Sequence, residues 1–394
     1  MNQIHSCPSC GASRMEVFYE VERVPANSCI LMASPEEATA YPRGDIRLGF
    51  CPECGFVSNT AFEPRLTEYS GRYEETQGFS GTFNSFHRGL AERLIGRYGL
   101  RSKEVLEIGC GKGEFLALLS ELGNNRGIGF DPGYREDRNL RIRDGQVTFI
   151  KDFYSEEYAD HKADFVCCKM TLEHIQETDN FVGTVRRAIG ERSDTVVFFQ
   201  IPEALRILRE CAFEDIYYEH CSYFSPGSLA RLFRRNGFHV LALETEYADQ
   251  YLTIEAKPGE DGGEPPLLSR EDDLGTLRDL VATFPARCTA KIEGWRERFR
   301  DWKASGLRTV LWGSGSKGVS FLTSVDTERQ VEYVVDINPY RQGYFMPGTG
   351  QRIVAPSFLN EYRPDIVIVM NGIYLDEISR DLAELGLSPR VLAL

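Results

Sequence analysis

Long apolar runs and basic charge are both scarce in this chain of 394 residues. No stretch approaches the roughly 18 consecutive apolar residues of a bilayer crossing, so a membrane-spanning segment is not expected. The opening residues 1–11 show no basic-then-apolar leader, and a cytoplasmic protein is expected. Acids outnumber bases by 59 to 45, a net charge of −14. Such a surface gains little by neutralising a long polyanion, which argues against nucleic-acid partners while leaving room for a local basic pocket. With 42% hydrophobic and 26% charged residues, disorder is excluded as the main state. The eleven cysteines, arranged partly as close pairs in a chain of this size, suit metal-bound or free thiols better than a secreted disulfide framework.

What is present falls into three zones. Residues 1–68 are rich in charge and turn formers, carry paired cysteines and are too short to bury a large core alone. Residues 69–258 alternate apolar strands with helical patterns: Val105 to Ile108, a helix from Glu114, Gly127 to Asp131, Val147 to Lys151, Phe165 to Lys169, Val196 to Gln200, Val240 to Leu243 and Leu252 to Ala256. Alternation of this kind predicts crossover helices on a largely parallel sheet. The Gly-, Pro- and acid-rich run from Pro258 to Pro266 marks a linker. In residues 259–394, apolar positions from Leu274 to Phe284 and from Ile292 to Trp302 recur every three or four residues and predict two helices interrupted near Pro285. A shorter α/β pattern follows, with strands near Thr309 to Trp312, Tyr333 to Val335, Asp365 to Val369 and Val391 to Leu392.

Cys7-Pro8-Ser9-Cys10-Gly11 and Cys51-Pro52-Glu53-Cys54-Gly55 are two knuckles of one form. The glycine permits a tight bend, so both sulfurs of each knuckle can point at one tetrahedral ion. Four thiolates leave no position for water, and the expectation is a structural Zn²⁺ in a zinc ribbon, with Cys29 left over as a small buried hydrophobe.

In Glu104-Val105-Leu106-Glu107-Ile108-Gly109-Cys110-Gly111-Lys112-Gly113-Glu114, an acid closes a strand and three glycines alternate before a helix. The spacing differs from the G-x-G-x-x-G of a dinucleotide loop, and acids on both sides suit a cationic, phosphate-free ligand. Together with Asp131 at the end of the next strand, this stretch resembles the class I S-adenosylmethionine-dependent methyltransferases. The resemblance implies that Glu107, Gly109, Gly111 and Gly113 line the cofactor, that Asp131 accepts hydrogen bonds from its ribose, and that Asp152 and Phe153 contact adenine. Met170-Thr171-Leu172-Glu173-His174 resembles the fourth motif of that superfamily. An NAD site at this loop is the rival reading.

Ile216-Tyr217-Tyr218-Glu219-His220-Cys221-Ser222-Tyr223-Phe224-Ser225 packs three tyrosines, a carboxylate and a histidine just before a helix starting near Pro226. By itself this is also compatible with an aromatic loop around a structural histidine. Together with the cysteine knuckles, the first glycine loop and the stretch Val334 to Gly343, it resembles the sugar-nucleotide C-methyltransferases, and the likeness spans essentially the whole chain. That resemblance implies His220 as the base that removes the proton beside a sugar ketone, with Tyr217, Glu219 and Tyr223 completing the catalytic group. In members acting on deoxysugars a glycine-serine-rich stretch follows the sixth strand, whereas this chain has Thr245 to Tyr251. Tyr69, Tyr73 and His87 lie in the lead-in region, and Tyr73 is a candidate substrate contact.

The second glycine loop, Gly313-Ser314-Gly315-Ser316-Lys317-Gly318, follows a strand, and Asp336 ends the next one. By spacing alone it is the better dinucleotide fingerprint. The resemblance instead implies that Gly313, Gly315 and Lys317 bind a nucleotide-diphosphate sugar. The expected architecture is therefore α/β: a class I methyltransferase Rossmann-like domain, an N-terminal zinc ribbon and a C-terminal Rossmann-like domain. The expected activity is C-methylation of a nucleotide-linked ketosugar. The rivals are an O- or N-methyltransferase and a non-catalytic module that binds S-adenosylmethionine or NAD.

Overall fold

The computed structural model describes residues 6–137, 146–259, 266–326 and 328–394. The first part holds β1 (Glu16–Pro25), α1 (Pro35–Ala40), β2 (Arg43–Phe50) and β3 (Val57–Asn59). The central part runs α2 (Gly81–Tyr98), β4 (Glu104–Ile108), α3 (Glu114–Gly123), β5 (Arg126–Phe130), β6 (Val147–Ile150), β7 (Phe165–Lys169), α4 (Thr178–Ile189), β8 (Val196–Pro202), α5 (Ala204–Glu210), β9 (Ser222–Tyr223), α6 (Pro226–Arg235), β10 (Phe238–Glu246) and β11 (Tyr251–Pro258). The last part comprises α7 (Leu274–Ala304), β12 (Thr309–Trp312), α8 (Ser316–Val325), β13 (Tyr333–Val335), β14 (Arg352–Val354), α9 (Leu359–Tyr362), β15 (Ile366–Val369), α10 (Leu375–Glu384) and β16 (Arg390–Ala393).

These strands form three sheets. The central one has the order β10-β11-β8-β7-β4-β5-β6, parallel from β6 to β8 and closed by the antiparallel β11 and β10. The all-parallel third sheet has the order β14-β13-β12-β15-β16. In an open parallel sheet, ligands gather at the carboxyl ends of the strands where the winding direction reverses. Those points are the ends of β4 and β7 in one sheet and of β12 and β15 in the other.

Two features differ from the sequence expectation. The amino-terminal zone is an antiparallel sheet, β1-β2-β3, that continues into β9, two residues beyond His220. The 31-residue α7 runs unbroken through Pro285, where two helices were expected. An internal proline costs a helix about 3 kcal/mol. Here Leu277, Val281, Phe284, Cys288, Trp295, Phe299 and Trp302 are all buried in one cluster with β1 and α8 residues, and a single long apolar face outweighs that cost. Of the linker Pro258 to Pro266, residues 260–265 lie outside the described residues. Among the described residues no helix is long and apolar enough to cross a membrane.

Candidate active site

The two switch points face each other across a single cavity of about 620 Å³. Gly109, Gly111, Met170 and Thr171 line it from the central sheet, and Gly313, Gly315, Met370 and Asn371 from the third. The turn between β10 and β11 ties the halves together. Gln250 and Asn371 exchange amide hydrogen bonds of 3.0 and 2.9 Å, and the Tyr247 hydroxyl is 2.7 Å from that of Tyr374. Tyr247, Ala248 and Asp249 all have φ near +56°, a tight left-handed turn where the resemblance led us to look for glycine and serine.

Glu107, Gly109, Gly111, Asp131, Asp152 and Phe153 all line this cavity. Gly109 and Gly111 have φ of +68° and +55°, and a Cβ on Gly109 would sit 2.0 Å from Thr171 Oγ1. The loop therefore requires bare backbone at these positions. Asp131 accepts hydrogen bonds from Gly111 N (2.9 Å) and Gly133 N (2.7 Å), which fixes its carboxylate beside the loop. Glu107 is buried with Oε2 lacking a partner, and burial pushes its carboxyl up to about 8. Asp152 and Phe153 stand at the exposed rim, with Asp152 accepting from the Tyr158 hydroxyl at 2.6 Å. A cradle without side chains, a ribose-ready carboxylate and an orphaned buried carboxylate oxygen fit a cationic adenosyl ligand.

On the facing wall, Tyr217 and His220 line the cavity with His174 and Glu173. His220 Nε2 is 2.8 Å from the Tyr217 hydroxyl and 3.9 Å from Glu173 Oε1, while Nδ1 has no partner. Burial, then His174 and Lys317, hold the imidazole well below its ordinary value, so it is neutral at pH 7. Both Glu173 oxygens are buried without partners, and burial pushes that carboxyl up to about 8. Glu219 turns toward the amino-terminal segment. It accepts from Asn27 Nδ2 (2.7 Å), Ser28 N (3.3 Å), the Ser28 hydroxyl and the Tyr73 hydroxyl (3.3 Å). Tyr69 meets His174 Nδ1 at 2.9 Å. The Tyr223 hydroxyl is buried without a partner, on β9. Asn27 and Ser28 escape a reading based on motifs, because their significance comes from burial and from a partner about 190 residues away; Glu173 falls in the stretch that resembles the fourth motif, and its burial without hydrogen-bond partners singles it out within it.

The second glycine loop is closed by its own acid: Asp336 accepts from Ser314 N (2.9 Å) and Ser314 Oγ (2.5 Å). Lys317 lines the cavity and pairs with Asp215 at 2.6 Å, and Arg206 also pairs with Asp215. Away from the cavity, Cys7, Cys10, Cys51 and Cys54 converge. The sulfurs of Cys7 and Cys54 are 3.7 Å apart, as are those of Cys10 and Cys51.

Comparison with known proteins adds to this geometry. Residues 83–243 match a family described as a methyltransferase domain, and residues 266–387 match the C-methyltransferase C-terminal domain. C-methyltransferase NovU of Streptomyces niveus is 25% identical over 328 residues, covering 78% of this chain and 76% of the relative. Among solved structures, magnesium protoporphyrin IX methyltransferase of Synechocystis aligns at 15% identity over 45% of this chain and 84% of its own, with a TM-score of 0.36. A methyltransferase of Mesorhizobium loti aligns at 14% identity over 43% and 99%, with a TM-score of 0.34. With a methyltransferase domain and a C-methyltransferase C-terminal domain matched in succession, and a strand-end loop of bare backbone beside Asp131, this chain is an S-adenosylmethionine-dependent methyltransferase whose domains are similar to those of the C-methyltransferases.

Proposed function

We propose that the acceptor is a nucleotide-linked ketosugar, methylated at the carbon beside its carbonyl, and that His220 is the base. The observation that carries this is a buried, neutral imidazole with one unpartnered nitrogen, lining the same cavity as the donor loop. With Nε2–H donating to Tyr217, the free lone pair sits on Nδ1, and we assign proton removal to that atom. Tyr217 offers a phenolic donor to the developing enolate oxygen, and Tyr73, whose hydroxyl proton goes to Glu219, contacts the acceptor with its ring; burial holds both phenols well above their usual range, so they stay protonated. Glu219, held by Asn27 and Ser28, orients Tyr73 and the neighbouring His220 backbone; Tyr223 supports that segment from β9. S-adenosylmethionine supplies the methyl group from its sulfonium. Glu107, Gly109, Gly111, Gly113 and Asp131 hold it, with Asp152 and Phe153 at the adenine rim.

In this reading the diphosphate lies by Gly313, Gly315 and Lys317, with Arg206 adding a second cation to that wall. The chain divides at 68/69 and 258/259. Cys7, Cys10, Cys51 and Cys54 hold a structural Zn²⁺: in a regular tetrahedron, Zn–S bonds of about 2.3 Å put sulfurs about 3.8 Å apart, and the two closest pairs stand at 3.7 Å. The experiment is deuterium exchange at the acceptor's α-carbon. Wild-type protein is expected to catalyse it, and His220→Gln to lose it while binding S-adenosylhomocysteine normally. Undiminished exchange in the variant removes His220 from the mechanism. Methylation of an acceptor lacking a ketone overturns the carbon assignment.

A further inference from the structure

Glu173 sits in a short 3₁₀ turn, Leu172–His174, that carries the chain from the end of β7 to the acceptor wall of the cavity. Two contacts fix that turn. Met170, the residue after β7, is held at φ of +50°, a left-handed conformation unfavourable for an L-residue, with its N–H donating to Gln200 O at 2.7 Å. Thr171 fills the space over Gly109, where a Cβ would stand 2.0 Å from its Oγ1. The turn therefore packs on the donor loop at one end and presents the Glu173 carboxyl to His220 at the other.

Both oxygens of that carboxyl are buried without a hydrogen-bond partner, although the residue lines the cavity. Oε1 lies 3.9 Å from His220 Nε2, within reach of an ion pair and too far for a hydrogen bond. At rest neither group is charged: burial pushes the carboxyl up to about 8 and holds the imidazole well below its ordinary value. Proton removal by His220 alone would create an imidazolium and an enolate in a dry pocket, where charges without close partners are strongly disfavoured. A neutral acid beside the neutral base removes that difficulty. Both become charged in one step, and the two charges form a pair.

We propose that Glu173 is a second catalytic residue, the general acid that protonates the ketone oxygen while His220 Nδ1 removes the α-proton. The α-carbon–hydrogen bond breaks and its proton forms an N–H bond on Nδ1. The electron pair moves into the double bond of an enol, and the Glu173 O–H bond breaks as its proton passes to the enol oxygen. The enol carbon then takes the methyl group while the sulfur–methyl bond breaks, the carbonyl re-forms, and the oxygen returns its proton to Glu173. His220 finally releases its proton to water. This rests on the base and the ketone acceptor given under Proposed function.

The groups facing Glu173 leave it alone in titrating near pH 8. Burial raises Cys168 of β7, Tyr69 and Tyr217 well above their ordinary values and Cys221 and Tyr251 to about 12, while it lowers His174 to about 4 and His220 well below its usual range. Glu75, raised to about 7, and Glu107, raised to about 8, line the cavity by the donor loop.

Deuterium exchange at the acceptor's α-carbon, followed from about pH 6 to 10 in the wild type, Glu173→Gln and His220→Gln, tests the proposal. Glutamine keeps the shape and can still donate a hydrogen bond, so a structural role survives the change and proton transfer does not. Glu75 and Glu107 are present in every variant, so the difference between curves reports Glu173. Wild-type exchange is expected to fall above about pH 8. Glu173→Gln is expected to exchange about 100- to 10,000-fold more slowly and to lose that fall, with S-adenosylhomocysteine affinity within about twofold of the wild type. A wild-type rate in Glu173→Gln, or the same alkaline fall in both proteins, overturns the inference. Should Glu173→Gln not fold, the wild type alone decides, because a rate that stays level or rises through pH 8 refutes the acid. Wild type that exchanges no deuterium, or His220→Gln that exchanges it fully, sinks the underlying reading instead; exchange that needs His220 and ignores Glu173 sinks this proposal alone.

Discussion

Adding one methyl group at Gly109 tests whether the donor loop depends on bare backbone. A Cβ there would lie 2.0, 2.7 and 2.9 Å from Oγ1, Cγ2 and Cβ of Thr171, on a residue with φ of +68°. The left-handed conformation costs an L-residue about 1–2 kcal/mol, and the overpacking adds about 1–3 kcal/mol. Gly109→Ala should therefore lose roughly 2–5 kcal/mol. At about 2–4 °C per kcal/mol, that lowers Tm by roughly 4–20 °C. Thr171→Gly removes all three crowding atoms. The double variant should recover the overpacking part and keep the backbone part, an interaction of about 1–3 kcal/mol between the two sites. Thermal denaturation of the four proteins measures the cycle, and titration with S-adenosylhomocysteine reads the loop's function in parallel. A Gly109→Ala protein with wild-type Tm, or a double variant that is merely the sum of the singles, refutes the reasoning.

Two further outcomes follow from the same kind of reading. The isolated protein should contain one zinc per chain by atomic emission, and Cys54→Ser should remove it and lower Tm by about 10 °C or more. Structural zinc contributes roughly 10–16 kcal/mol in small domains, so metal-free protein of full stability would count against the site. Glu173 gives a pH signature. Its folded carboxyl is raised to about 8 by burial from an ordinary 4.5, so its stabilisation is complete below 4.5 and is lost as pH rises toward 8. The slope is about 1.4 kcal/mol per pH unit. Glu173→Gln cannot ionise there and should gain on the wild type in Tm from pH 5 to 8; parallel curves would show that Glu173 titrates normally.

The central and carboxyl-terminal sheets were legible because buried parallel strands read as short apolar runs between helical patterns, and the residues at their ends carry the chemistry. Both glycine loops emerge where the fold reverses its winding. The amino-terminal sheet was not legible: β1, with exposed Glu16, Val17 and Glu20, shows no clean alternation, and two bulges in its pairing with β2 break the period. Pro285 misled for a local reason, since propensity does not register the long buried face that spans it. Lys169 looked like the polar end of a strand. Only the burial of its ammonium, beside a ring, a neutral imidazole and the Glu107 carboxyl, distinguishes it from a solvated lysine. Glu219 entered the catalytic group only through the resemblance; its hydrogen bonds to Asn27, Ser28 and Tyr73, which tie it to the amino-terminal segment, leave no trace in the sequence.

The pairing of β9 with β3 has a consequence for anyone recombining relatives of this protein. Val57 pairs with Tyr223 and Ser58 with Ser222, so the backbone leaving His220 is itself a rung of the cysteine-bearing module's sheet. A chimera that exchanges the first 68 residues at a clean junction would sever that ladder and loosen the histidine. A graft that also carries residues 216–225 would transplant the module together with the segment it grips.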